Sequence, residues 1–325
     1  MAIYNAYDAI GQREDLTDII YDISPTETPF MSSIGKTKAT AVYHEWQTDS
    51  LAAATTNNAA VEGADASDAT LSPTTRLGNY TQILQKTIKV SGTLDTVNKA
   101  GRKSEKAYQL AKASQELKRD LETILLSNQG SSAGTTNSTA RKMGSLLSWI
   151  KTNSSVQTNG GDPTTIGTST RTDGNTRTFT EALLKTVVAE VFASGGVPKI
   201  LMVGATGKQK VSSFTGLSAY RYNVNAGGGG SVNQATIVGA ADVYLSDFGS
   251  MSVVPNRFMR TRDALVLDPE YAALAYLRPF QTNELAKAGD SDKTQVLTEV
   301  TLEVKNEAAH GIVADLNMDL KLNSP

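Results

Sequence analysis

Residues 294–304 place Val296, Thr298, Val300, Leu302 and Val304 on one side of an extended chain. Leu297, Glu299, Thr301 and Glu303, followed by Lys305, fall on the other. A side-chain period of two is the signature of a β-strand, and this composition predicts a sheet with one packed face and one wet face. Eleven residues at about 3.3 Å each span roughly 36 Å, against the 5–6 residues of an ordinary strand. A strand of that length suits an extended molecule better than a compact enzyme.

The longest helical pattern covers residues 102–128. Ala107, Leu110, Ala111, Leu117, Leu121, Ile124 and Leu125 recur at three- and four-residue spacing, and Asn128-Gln129-Gly130 supplies a stop. Twenty-seven residues at 1.5 Å would make a rod of about 40 Å. Arg102, Lys103, Lys106, Lys112, Lys118 and Arg119 lie among and opposite the apolar positions. Net charge is only −2, but it is unevenly spread: residues 1–98 carry 6 basic and 12 acidic side chains, and residues 99–151 carry 10 and 4. This basic cluster fits a solvated helix face, or a face set against acidic neighbours or a polyanion. A dedicated nucleic-acid binder would show a more basic total.

Around these two elements the chain divides further. Residues 15–21 read as a short amphipathic helix, ended by Ser24-Pro25 and Thr28-Pro29, and Phe30 and Met31 would anchor this arm on a neighbouring surface. Strands are expected at 41–47 and 80–90. Between them, 51–75 is rich in Ala, Thr, Asn and Asp and cannot bury a core of its own. A loop this long in a folded protein needs a partner to order it. Residues 143–150 form an apolar knot within turn formers, and 152–178 reads as a surface loop or short β-turns. Beyond it, 178–280 is a mixed α/β lobe, with Thr178 and Glu181 at capping-box spacing, strands at 199–203, 237–238, 242–245 and 251–255, and a short helix near 208–214. Segments 264–269 and 271–277 read as a β-pair.

No reactive constellation survives inspection. With no cysteine, disulfides and thiolate metal sites are excluded, and the only histidines are His44 and His310. Gly204 and Gly207-Lys208 lack the spacing and the hydroxyl residue of a phosphate loop. The Gly227–Gly230 run has no strand-then-helix setting. Asp290 and Asp292 lack the Glu of a calcium loop and have Lys293 beside them. Glu299 and Glu303 stand about 13 Å apart by strand rise, too far for a glycosidase pair. His310-Gly311 fits a strand-end cap better than a proton carrier. No catalytic, metal or cofactor-binding residue is expected, and neither a secretory leader nor a membrane span is read from the chain.

Several segments carry a resemblance: residues 24–30; Met143-Gly144 with Ser148-Trp149-Ile150; Asp247-Phe248-Gly249; and the stretch Leu277 to Gly311. With the order of elements, they resemble the major head proteins of tailed phages and their Hong Kong 97-type fold. The resemblance implies an α+β chain: an N-terminal arm (1–36), an extended β-loop with its flanking strands (37–92), a peripheral domain with the spine helix (93–177), an axial α/β domain (178–280), and a C-terminal strand returning to the peripheral domain (281–325). It implies a non-enzymatic shell subunit, assembled in the host cytoplasm into pentamers and hexamers and housed in the virion capsid. Intersubunit contacts are expected at Phe30, Trp46, Asn223, Asn225 and Ser231. The basic face of Lys103, Lys106, Lys112, Lys118 and Arg119 would pair with acidic residues of the arm or meet packaged double-stranded DNA weakly and without sequence preference. A separate scaffolding protein, a portal and a decoration protein are the other expected partners. Some relatives join a loop lysine to an asparagine covalently. Here no lysine lies between Lys38 and Lys86, so a non-covalent shell is expected. The alternatives are an encapsulin-like cargo compartment with the same fold, a tail-tube subunit, against which the long helix argues, and an enzyme with an unrecognised site.

Overall fold

The computed structural model describes residues 25–63, 65, 68–69, 71–97, 104–135, 138–214, 243–287 and 289–318. The helix expected at 15–21, Arg102, Lys103, Asn223, Asn225, Ser231 and the strand at 237–238 lie outside the described residues. In chain order the first elements are α1 (Pro29–Ser33), β1 (Gly35–Lys38), β2 (Tyr43–Thr48), β3 (Thr75–Tyr80), β4 (Gln82–Ser91) and α2 (Gly92–Thr96). Then come α3 (Glu105–Leu125), α4 (Leu146–Trp149), β5 (Ser154–Ser155), α5 (Glu181–Ala193), β6 (Ile200–Val203) and α6 (Ala205–Ser212). The last are β7 (Val243–Ser246), β8 (Gly249–Pro255), β9 (Ala264–Leu267), β10 (Ala272–Leu285), β11 (Ser291–Val304) and β12 (Gly311–Val313).

Three sheets result. A four-stranded sheet has the order β1-β10-β11-β4, a six-stranded sheet the order β5-β12-β9-β6-β8-β7, and β2 with β3 forms a separate ribbon. The spine helix α3 packs on the four-stranded sheet. Its buried stripe, Leu117, Leu121 and Leu125, meets Leu84, Val296 and Val300 of the strands, and α4 adds Leu146, Leu147 and Trp149 to the same core. The second core lies between α5 and the six-stranded sheet, with Leu184, Val187 and Val191 against Leu201, Met251 and Val266.

The spine helix is shorter than its periodicity predicts. Ser104 caps it, its hydroxyl accepting from the Ala107 backbone N–H at 3.3 Å. It ends at Leu125, making a rod of about 31 Å. The following residues leave the helix because Ser145 captures them: its hydroxyl accepts from the Gln129 N–H at 3.0 Å and donates to the Ser127 carbonyl at 2.6 Å. At α5 the expected capping box does not form. The helix starts after Thr180, and Glu181 instead accepts from the Tyr244 hydroxyl at 3.3 Å and pairs with Lys185.

Segments 264–269 and 271–277 do not pair with each other. β9 joins β6 and β12 in one sheet, and β10 joins β1 and β11 in the other. The turn between them is set by Asp268, whose carboxylate accepts from the Glu270 N–H at 3.3 Å. His310 stands behind this turn, fully buried, its Nδ1 accepting from the Asp268 N–H at 3.4 Å. Burial pushes its pKa down to about 4, so it is a neutral structural group.

The stretch 152–178 forms turns and isolated bridges, as its turn formers predict, and is tied to the body by buried polar side chains. Asn153 and Arg171 are buried, with the Arg171 guanidinium 2.5 Å from Asp162. Arg177 donates to the Ser155 carbonyl, and Arg260 and Arg262 reach Asp173, Asp263 and Asp315. Within this cluster Asp263 is pushed up from its ordinary 3.8 to about 6, because burial outweighs the pull of Arg260 and Arg171. An acid with a raised folded pKa gives the folded state the extra proton between pH 3.8 and 6. Its ionised form therefore costs stability above pH 6, and the cost fades as pH falls towards 4. Asp263→Asn removes that dependence. In urea titrations, the wild-type stability minus that of the variant should rise on the order of 3 kcal/mol between neutral pH and pH 4. A difference that stays flat would contradict the assignment.

Candidate assembly surface

The long strand β11 is buried on both faces, against the expectation of one wet side. Its apolar face lies under α3. Its polar face carries Glu299, Thr301 and Glu303, all buried, and the ribbon β2–β3 closes over it. Isolated buried carboxylates would be costly, so each is partnered. Glu299 accepts from Thr81 Oγ1 at 2.8 Å, from Arg141 at 2.7 Å and from Arg278 Nε at 2.8 Å. Glu303 accepts from Thr37 Oγ1 at 2.9 Å and lies 3.2 Å from His44 Nε2. These partners stand up to 266 positions away in the chain, so strand periodicity alone cannot show them.

The ribbon is seated by two further devices. Asn79, fully buried, donates to the Gly144 carbonyl at 3.1 Å and the Leu302 carbonyl at 2.8 Å, and accepts from the Gly144 N–H at 2.8 Å. Trp46 lies against Trp149, ring centroids 5.2 Å apart. At the body end of the ribbon, Tyr43 packs directly on Gly78, where a Cβ would come within 2.7 Å of the ring. Asn79→Leu strands both Gly144 backbone groups and the Leu302 carbonyl in a dry site. It should cost about 2–4 kcal/mol, read as a lower urea midpoint at unchanged slope.

From this rigid root the chain projects. Every described residue from Asp49 to Arg76 is exposed, and three large apolar side chains stand nearly free: Leu51 at 98%, Val61 at 80% and Leu71 at 89% exposure. Among the described residues no group of carboxylates and histidines could hold a metal ion, and no helix is long and apolar enough to cross a membrane. Gly204 and Lys208 belong to the start of α6, where the Lys208 ammonium donates to the Val253 carbonyl at 2.8 Å.

The expected contact residues separate. Phe30 is 1% exposed within its own chain, packed into the core under α3 with Met31. The reading of Phe30 as an anchor on a neighbour therefore gives way to one as the arm's root on its own body, since an aromatic side chain near an apolar stripe gains most by burying there. Trp46 is half-buried at the ribbon root, where it fixes the loop's exit. On the spine helix, Lys106 pairs with Glu284 of β10 at 2.8 Å. Arg119 stacks over Phe258 at 5.5 Å, while Lys112 and Lys118 are exposed and form no ion pair with another described residue. Sequence reasoning missed Asn79, Glu122, Arg141 and Glu299 as the groups that seat the projecting parts. The one visible signal was a charged residue, Glu122, between Leu121 and Leu125 in an apolar stripe.

The chain matches the model of the SU10 major capsid protein family over residues 3–317. It is 44% identical over 127 residues to the major capsid protein of Escherichia phage Phieco32, which is 39% of this chain and 36% of that protein. The match thus spans about a third of that relative's length. Among solved structures, the capsid of cyanophage A-1(L) superposes with a TM-score of 0.62 at 10% identity, covering 94% of this chain and 97% of that one. The SrpI encapsulin of Synechococcus elongatus PCC 7942 superposes at 0.56 with 10% identity over 100% of both chains. At these identities the structural matches establish a shared fold, the Hong Kong 97-like one.

Proposed function

Because the chain belongs to the SU10 major capsid protein family, we propose that its projecting loop is the element that joins subunits into the shell. The protein is a tailed-phage major capsid protein, not an enzyme. The observation that carries the loop reading is the exposure of Leu51, Val61 and Leu71 on a segment without a core of its own, standing on a root of buried hydrogen bonds. Covering three such side chains on a neighbour contributes about 1.5–3 kcal/mol each, repeated at every subunit by the symmetry of the shell.

On this reading, α3 and the four-stranded sheet are the peripheral domain, and the six-stranded sheet with α5 and α6 is the axial domain, whose 223–231 segment meets its copies around five- and six-fold axes. Lys112 and Lys118 are the part of the basic face free to meet packaged DNA, weakly and in a salt-dependent way. Scaffolding, portal and decoration proteins complete assembly in the host cytoplasm. The encapsulin fold match supports the shell architecture equally, but the family match and the phage relative favour a genome container over a cargo compartment.

Light scattering and negative-stain imaging of the purified chain, alone and with a co-expressed scaffolding protein, test the proposal. Capsomers or closed shells are expected in at least one condition. Heated shells should run as a single band at the 34.5 kDa of the free chain, because the loop carries no lysine for cross-linking. A monomer under both conditions would overturn the reading.

A further inference from the structure

The ribbon leaves one end of the four-stranded sheet uncovered. Outward from Glu299 on that face, β4 presents Ile83, Thr87 and Lys89, and β10 presents Leu285, all exposed. Lys89 stands directly opposite Lys293 of β11 in the antiparallel register. Like charges facing each other across a strand pair destabilise a sheet. The lysines around them are paired, Lys86 with Glu116 and Asp120 of α3 and Lys287 with Asp292. Neither Lys89 nor Lys293 forms an ion pair with another described residue. The acids farther along the face are already held, Glu299 by Arg141 and Arg278 and Glu303 by His44 and Thr37.

β4 is also the last strand of its sheet. Its ten residues pair with β11 without a break in register, so alternate residues on the other side turn N–H and C=O groups outward. It holds no proline, and among the described residues no strand lies beside it. An edge of this length is a template for one more strand.

Residues 49–74 have the chemistry this edge requires. They carry Asp49, Glu62, Asp65 and Asp68 and no lysine or arginine. Every described residue among them is exposed, so the segment brings backbone in need of partners together with its acids. A second copy of β4 would instead bring its own Lys86 and Lys89 to an edge that is already positive. Ile83 and Leu285 add apolar ground for the free side chains of the loop.

We propose that the free edge of β4, with Lys89 and Lys293 beside it, receives the 49–74 loop of a second copy: the loop backbone adds as a strand, and its carboxylates neutralise the two lysines. The inference names the receiving surface for the loop and rests on the reading above that the loop joins subunits.

Charge exchange in the full-length chain tests it, scored as shells per folded subunit. Lys89→Glu with Lys293→Glu should lower the yield about tenfold or more, with a melting temperature within about 2 °C of the wild type, since both side chains lie at the surface. Glu62→Lys with Asp65→Lys and Asp68→Lys should do the same. All five substitutions in one chain should restore most of the yield, because a reversed pair attracts as the original does. Normal assembly of the edge variant, or no recovery in the combined one, overturns the seat. Zero-length carbodiimide coupling of wild-type shells built from mixed ¹⁴N- and ¹⁵N-labelled chains gives a second readout. Lys89 or Lys293 should join Glu62, Asp65 or Asp68 in peptide pairs of mixed label. Links from these lysines only to acids elsewhere in the chain, or only within one label, reject the proposal. Deleting 49–74 separates the two readings. Shells from the deleted chain would remove the loop itself from assembly, whereas no shells from it and normal shells from the edge variant would reject the β4 seat alone.

Discussion

Trp149→Ala is expected to lower the unfolding free energy by about 3–5 kcal/mol, with a fall in melting temperature of roughly 5–15 °C. Trp149 is buried in the larger core, on a four-residue helix held by Ser145 and Ser148. Its ring fills space that Gly167, with φ +76°, leaves open beside it, since a Cβ there would lie 2.7 Å from the ring. Truncation opens a large cavity that flanking turns cannot collapse into, because their backbones are fixed by the Gly167 N–H on the Ser148 carbonyl at 2.8 Å and by Arg171. The effect also reaches the assembly surface. Trp46 loses its aromatic neighbour, a further 0.5–1.5 kcal/mol or so, and the ribbon loses one of its seats. Assembly should therefore weaken by more than the folded fraction alone accounts for, measured as yield of shells per folded subunit. A loss of stability below about 1 kcal/mol would mean that the site repacks.

The second large effect is on assembly and not on folding. Thr48 and Thr75 face each other at the end of the ribbon register, so residues 49–74 can be replaced by an Asn-Gly hairpin turn without changing that register. Every described residue removed is exposed, and the subunit loses only superficial bonds, such as the one from Thr74 Oγ1 to Gln47 Oε1. Its melting temperature should stay within about 2 °C, since surface changes of this kind cost little. Shell formation should be abolished. Ordering the loop costs about 1–2 kcal/mol per residue, more than three apolar side chains return on their own. The loop can thus be held only by a neighbour that offers backbone hydrogen bonds as well as apolar cover. Shells that form normally from the shortened chain would remove the loop from the assembly mechanism.

Much of the architecture was legible because periodicity reports on burial directly. The long strand, the body of the spine helix and the exposed loop appear where their patterns place them. Three failures share one physical cause, namely that the deciding partner is far away in sequence. The alternation of β11 predicted a wet face, but Glu299 and Glu303 are kept from water by Thr37, His44, Thr81, Arg141 and Arg278, none of which announces itself. Segments 264–269 and 271–277 have the composition of a hairpin. Asp268 and the 3-10 turn after it redirect the chain to a second sheet, and strand composition carries no information on that choice. The sequence of an arm without a core points Phe30 to a neighbour's surface, yet Glu122 and the core under α3 capture it within its own chain. The polar residues that seat the loop were the least legible of all. Asn79 and Arg141 sit in stretches where polar residues are unremarkable, and only the fold brings them to the strand they serve.

The measurement that bears most directly on the central claim is a cryo-EM reconstruction of the assembled shell at side-chain resolution. The account predicts Leu51, Val61 and Leu71 buried against another copy of the chain, with the ribbon root of Trp46, Asn79 and Glu303 unchanged from the isolated subunit. Loops that remain in solvent within a closed shell, with subunits held by other surfaces alone, would contradict it.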